Sequence, residues 1–197
     1  MSRKARAIAL AMAFTSSACG ASAGESACER EMAGAAARHG VPLGMLYAVG
    51  LAETGRGDSL QPYALNIEGR PIFDIDKQEA LRRIEAARLA GIRLIDIGCM
   101  QINHHFHARN FASLQDMLDP AQNVEYAARF LNELRAREGS WTKAVARYHA
   151  GPNNDPAQKK YVCRVIANMV ATGFGQWTAD ASALCRLRSS ATIRSSS

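Results

Sequence analysis

The chain lacks most of the devices that would assign a function quickly. Its apolar run 7–14 is far too short to span a bilayer as a mature helix. Aromatic residues make up only 7% of the sequence, and no basic stripe is interleaved with them. Nucleic acid is therefore not an expected partner. The cysteines match no zinc spacing. No strand–Ser–helix elbow supports a Ser/His/Asp hydrolase. No internal repeat and no inter-domain linker is evident.

What is present fits one exported domain. The 197 residues are 48% hydrophobic and 21% charged, enough to build a core. Arg3, Lys4 and Arg6 precede the apolar run, and small residues follow it up to Ala21-Ser22-Ala23. This is the pattern of a secretory signal peptide, with cleavage expected after Ala23. Cys19 offers a rival reading, a lipid anchor. Ser16, however, stands where a bulky aliphatic residue is usual, so an unanchored chain is the preferred expectation. Removing residues 1–23 lowers the formal charge from +6 to +3, a mild basicity that suits either an anionic cell-wall polymer or plain solubility. Four cysteines remain, an even count that reads as disulfides in an exported chain. Cys163–Cys185 is the favoured pair, because both follow the last motif, and Cys28–Cys99 is its complement.

Helix signals dominate from there on. Cys28 to His39 reads as a helix stopped by Gly40, and Pro42 opens a second over Leu43–Thr54. In that helix Leu46, Val49, Gly50 and Glu53 share one face, which puts a carboxyl at the end of an apolar stripe. Desolvation and the helix C-terminus both raise the pKa of such a group, as a general acid requires. Glu68-Gly69-Arg70 reads as the turn of a hairpin. Asp76 starts a helix ending near Gly91, with Asp74 also read as a helix-start residue. Residues 92–97 look like a strand. Asp119, Ser140 and Asp155 read as starts of three further helices. Helix signals fade after Gln176, leaving a C-terminal strap and a basic, serine-rich tail from Arg188. The domain is expected over residues 24–175, mainly α with a small antiparallel β-hairpin or sheet.

The chemistry has few candidates. Glu53 is the one well-placed acid. Asp58, Asp74 and Asp96 are available, but none makes a convincing second carboxylate. His104, His105 and His107 invite a metal, yet no carboxylate or cysteine completes a ligand spacing, so neither metal nor cofactor is expected. A Cys/His protease built on Cys99 conflicts with the pairing of that cysteine.

Three segments then stand out in order: Glu53-Thr54 after its apolar helix, Gly98-Cys99-Met100-Gln101-Ile102-Asn103, and Tyr148-His149-Ala150-Gly151. Together they resemble the catalytic domain of the soluble lytic transglycosylases, which is related to goose-type lysozyme. The resemblance runs from about Cys28 to Gly173. It implies a lysozyme-like α+β fold and a peptidoglycan substrate cut between N-acetylmuramic acid and N-acetylglucosamine. It also implies Glu53 as acid, then base, with a 1,6-anhydro product. It places Thr54, Met100, Gln101, Ile102, Asn103, Tyr148, His149 and Tyr161 around the sugar, with Tyr148 orienting the carboxyl and Tyr161 closing the cleft. The sequence departs from the family where Thr54 stands for serine, Cys99 for leucine and His149 for asparagine. The leader would send the chain to the periplasm, where a monomer is expected, and the hairpin and helix-rich ending resemble the small transglycosylases that accompany secretion, conjugation or flagellar machines. The alternatives are a goose-type muramidase that uses water and a wall-binding adaptor with little turnover.

Overall fold

The structure is a computed structural model that describes residues 26–56 and 59–186. The expected leader 1–23 with Cys19, Asp58 and the tail from Arg188 lie outside the described residues.

Helix α1 (Ala27–His39) ends where Gly40 takes φ 63°. Val41 and Pro42 lead directly into α2 (Leu43–Thr54). Helix α2 is apolar on every side, so it must be covered on every side. Leu46, Ala48 and Val49 have no exposed surface, and α1 and α8 (Asp155–Ala171) pack against the helix. Gly50 sits where that packing is closest. A methyl group there would lie 2.8 Å from Met32 Cε and 3.0 Å from Leu60 Cδ1.

The sheet stands beside this helical core. Strands β1 (Leu65–Ile67) and β2 (Arg70–Ile72) form a hairpin whose two turn residues, Glu68 and Gly69, take φ 50° and 81°. Two left-handed residues give the turn a twist that matches the strands. Arg70, expected in the turn, is already in β2. Strand β3 (Ile95–Ile97) pairs with the other edge of β1, and β4 (Ile102–Asn103) pairs with β3. The order is β2-β1-β3-β4, all antiparallel. The expected strand from Ile92 is shortened because Ile92 N–H bonds back to Ala87 O and closes the exit turn of α3 (Lys77–Leu89).

Asp76 caps α3 as expected, its Oδ1 accepting from Glu79 N–H at 2.8 Å. Asp74 does not start a helix. It takes φ 56° and pairs on the surface with Arg56 at 3.0 Å. The histidine segment is one helical turn, α4 (His104–His107), followed by a 3-10 turn Ala108–Asn110. Helix α5 (Leu114–Leu118) was not expected, because five residues are too few to show a helical period.

Helix α6 (Pro120–Glu138) buries Val124, Ala127, Ala128, Leu131 and Leu134 against α1 and α7 (Trp141–His149). Asn154, rather than Asp155, caps α8 with its side-chain oxygen. A further correction concerns residues 179–185, which form helix α9 (Ala179–Cys185) where helix signals had faded; Thr178 caps it. The disulfide Cys163–Cys185 ties α9 to α8. Among the described residues no helix is long and apolar enough to cross a membrane. The architecture is mainly helical with one small antiparallel sheet, a lysozyme-like α+β fold.

Candidate active site

The turn between β3 and β4 forms the floor of a cleft, and it is tied down from several directions. Gly98 takes φ 77° and lies so close to Asn123 that a Cβ would come 2.8 Å from its Nδ2. That contact leaves room only for glycine. Asn123, on α6, is fully buried and serves three backbone groups. Its Oδ1 accepts from Met100 N–H at 2.9 Å, and its Nδ2 donates to Ile97 O and Met117 O, each at 2.9 Å. Cys99 is disulfide-bonded to Cys28 on α1, and its carbonyl accepts from the Thr54 hydroxyl at 2.8 Å. Gln101 takes φ 47°, a conformation that costs a non-glycine residue about 1–2 kcal/mol. Its amide offsets that cost by donating to Ala64 O at 3.0 Å and Gly98 O at 3.1 Å.

Glu53 projects from the last turn of α2 toward this floor, with its side chain 13% exposed. Tyr161 Oη, on α8, donates to Glu53 Oε1 at 2.5 Å. The His149 ring lies parallel to the Tyr161 ring at 4.2 Å, which brings its Nδ1 to 4.0 Å from Glu53 Oε1. Burial is the strongest influence on the Glu53 carboxyl and the negative charge of Asp96 adds to it; the Tyr161 hydrogen bond and Arg164 oppose them. Burial wins, and the pKa is pushed from 4.5 up to about 7. Burial, with some help from Arg164, lowers the His149 pKa. Near neutral pH the two groups therefore do not form a strong ion pair. The Tyr161 phenol is held well above 10, by burial first and then by the Glu53 charge, so it stays a donor.

The cleft has a volume of about 610 Å³ and holds Glu53, Gln101, Ile102, Asn103, Tyr148 and His149 in its walls. Three other residues singled out in the sequence lie elsewhere. Met100 has no exposed surface and packs under α2, with its Sδ 3.3 Å from the place a Gly50 Cβ would take. Thr54 is buried and bonds the floor from below. Tyr161 is buried too, but its hydroxyl reaches the carboxyl. Tyr148 gives its hydrogen bond elsewhere: its hydroxyl donates to Met100 O at 2.8 Å. The two tyrosines thus divide the work differently from the expectation, with Tyr161 holding the acid and Tyr148 holding the floor.

The cleft also contains Asn66, Asp96 and Arg164, which the resemblance did not place around the sugar. Asn66, Asp96 and Asn103 sit in register across β1, β3 and β4 and all line the cleft. A strand reading of Ile95-Asp96-Ile97 could have found Asp96, since its neighbours are buried and alternation turns it to the other face. Arg164 lines the opposite wall from α8, with its Nη1 bonded to Ala52 O at 3.2 Å. Asn123 left a weaker signal: a polar residue placed among the buried positions of α6. The histidines of α4 do not converge. His107 Nδ1 meets Tyr126 Oη at 2.7 Å, while His105 lies beside Arg93. Among the described residues no three His, Cys, Asp or Glu side chains are grouped to hold a metal.

A family model described as the Transglycosylase SLT domain matches residues 32–168, more than half of the chain. The chain belongs to this family. The matched span runs from α1 into α8 and includes Glu53, the 98–103 floor, Tyr148, His149 and Tyr161. An SLT domain acts on peptidoglycan as a lytic transglycosylase-type module. The cleft wall combines amides and aromatic rings. No curated protein and no solved structure matches the chain. Peptidoglycan lies outside the cytoplasm, and two disulfides fit an oxidising compartment.

Proposed function

We propose that this SLT domain cleaves the bond between N-acetylmuramic acid and N-acetylglucosamine by intramolecular transglycosylation, with Glu53 as acid and then base. One observation carries the reading: a buried carboxyl, held by Tyr161 in a glycan-sized cleft, with its pKa pushed up to about 7. Such a group is substantially protonated at neutral pH and returns readily to its ionised form, as two-way proton transfer needs.

The reading implies the following steps. Oε1 already accepts from Tyr161, so the acid proton belongs on Oε2. Oε2–H protonates the glycosidic oxygen as the bond from C1 breaks, and N-acetylglucosamine leaves as an alcohol. The acetamido oxygen of the muramic ring attacks C1 and takes up the positive charge. Glu53, now a carboxylate, removes the proton from the C6 hydroxyl. The C6 oxygen then displaces the acetamido oxygen and closes the 1,6-anhydro ring. Glu53 ends protonated, and no water is consumed.

A second reading is hydrolysis by water, as in a goose-type muramidase. Asp96 favours considering it, since a second carboxylate in the cleft could orient a water. The intact, perturbed Glu53 speaks against a purely adhesive role. We further propose export by the leader 1–23 to the periplasm, action as a monomer, and service to an envelope-spanning machine.

The test of the catalytic assignment is Glu53→Gln in a clearance assay on purified peptidoglycan. The variant should lose at least about 100-fold in rate, in the range expected for a positioned acid. Clearance at the normal rate would remove Glu53 from the chemistry.

A further inference from the structure

Asp96 is a carboxylate with one side committed and one side free. Its Oδ1 accepts from Asn103 Nδ2 at 2.7 Å. The orientation of that amide is fixed by chemistry, because Asn103 Oδ1 accepts from His105 N–H at 3.0 Å and a backbone N–H can only donate. Oδ2 of Asp96 carries no hydrogen bond to the described residues. The side chain lines the same cleft as Glu53, from the sheet wall, in register with Asn66 and Asn103. Asn66 Oδ1 is buried there without a partner. A polar wall with spare acceptors calls for a donor from the substrate.

The substrate offers few donors at that point. This step rests on the proposed transglycosylase reading. In a glycan strand the muramic ring has C1 and C4 in glycosidic bonds and C3 in the lactyl ether. Only the C6 hydroxyl and the acetamido N–H remain as donors on the ring. Glu53 needs the C6 hydroxyl. We infer that Asp96 accepts the acetamido N–H of the muramic ring, turning its carbonyl oxygen toward C1 and stabilising the positive charge that the acetamido group acquires. No proton is transferred to Asp96. The N–H bond stays intact while C1–O(acetamido) forms and then breaks. Interactions that strengthen as charge develops raise kcat more than they lower KM. The same carboxylate lies close enough to influence the Glu53 acid. Burial raises the Asp96 carboxyl above its usual range and the Asn103 hydrogen bond draws it back down; the two carboxyls take different roles, Glu53 carrying the proton and Asp96 accepting a hydrogen bond.

The test uses Asp96→Asn and Asp96→Ala in the full chain, with unfolding temperature and both disulfides checked first. Glu53 faces Tyr161 and Arg164 of α8, Tyr148 and His149 of α7, and Asp96 of β3, so removing Asp96 withdraws only one of the charges around it. The expected kcat loss is about 10- to 100-fold with KM within about threefold. The alkaline limb of the pH–rate profile should move to lower pH, because loss of a neighbouring negative charge makes Glu53 ionise more easily. A muramic thiazoline, whose fused ring mimics the cyclised acetamido group when its ring nitrogen is protonated and donates to Asp96, should bind Asp96→Asn at least about tenfold more weakly than it binds the parent chain. An ordinary chitooligosaccharide should bind the two within about threefold. Equal affinity for the thiazoline, or equal losses for both ligands, overturns the inference. Either result leaves the role of Glu53 standing, because that role is read separately from Glu53→Gln.

Discussion

Glu53 should make the folded chain pay a pH-dependent cost that a glutamine removes. In the unfolded chain its carboxyl ionises near 4.5, and in the fold near 7. At about 1.4 kcal/mol per pH unit, ionisation is about 3 kcal/mol harder in the fold. The sign follows from proton binding. Between pH 4.5 and about 7 the folded state holds a proton that the unfolded state has released, so stability falls as pH rises through that window and levels off above it. The amide introduced by Glu53→Gln is isosteric with the carboxyl, does not titrate, and can still accept from the Tyr161 hydroxyl. The stability of this variant relative to the parent should be near zero at about pH 4 and climb to roughly 3 kcal/mol by about pH 8–9. For a chain of this size that is about 6–12 °C in unfolding temperature. Thermal or urea unfolding of both proteins from about pH 4 to about pH 9 reads it directly. A difference that does not change with pH would mean that the carboxyl is not desolvated, and the acid assignment would lose its physical basis.

Other positions give independent checks. Tyr161→Phe removes a hydrogen bond that lowers the Glu53 pKa, so the alkaline limb of the pH–rate profile should move up while kcat falls; an unmoved limb would show that the bond does not matter in solution. Asn123→Ala strands Met100 N–H and the carbonyls of Ile97 and Met117, and should cost about 3 kcal/mol or more in urea unfolding. Cys28→Ala with Cys99→Ala reopens a sequence separation of 71 residues, worth about 4 kcal/mol in the chain-entropy picture; a loss below about 1 kcal/mol in non-reducing denaturation would refute that figure.

The sequence revealed the frame well because its helices carry strong end signals. Gly40, Gly91 and Gly139 end their helices, and Asp76, Asp119 and Ser140 cap theirs as read. Five-residue α5 and seven-residue α9 escaped because short helices draw their stability from contacts rather than from a visible period. Glu53 was legible from its place on an apolar stripe. The partition between cleft wall and buried support was not. Met100 and Thr54 are motif residues that face the core: the left-handed residues Gly98 and Gln101 flank Met100, and Thr54 lies on the buried side of the last turn of α2. Tyr161 sits more than a hundred residues from Glu53, a distance at which no local pattern can report a hydrogen bond. Asp96 was visible as an available acid, but its place in the cleft was not, since that comes from the β1–β3–β4 register and not from its neighbours in the chain.

The central claim is that the C6 hydroxyl, and not water, takes the muramic C1. The most direct test is the mass of the soluble muropeptides that the purified chain releases from peptidoglycan. The account predicts ends that are lighter than reducing ends by one water and cannot be reduced by borohydride. Reducing ends at full mass, formed at the same rate, would contradict it and make the protein a muramidase.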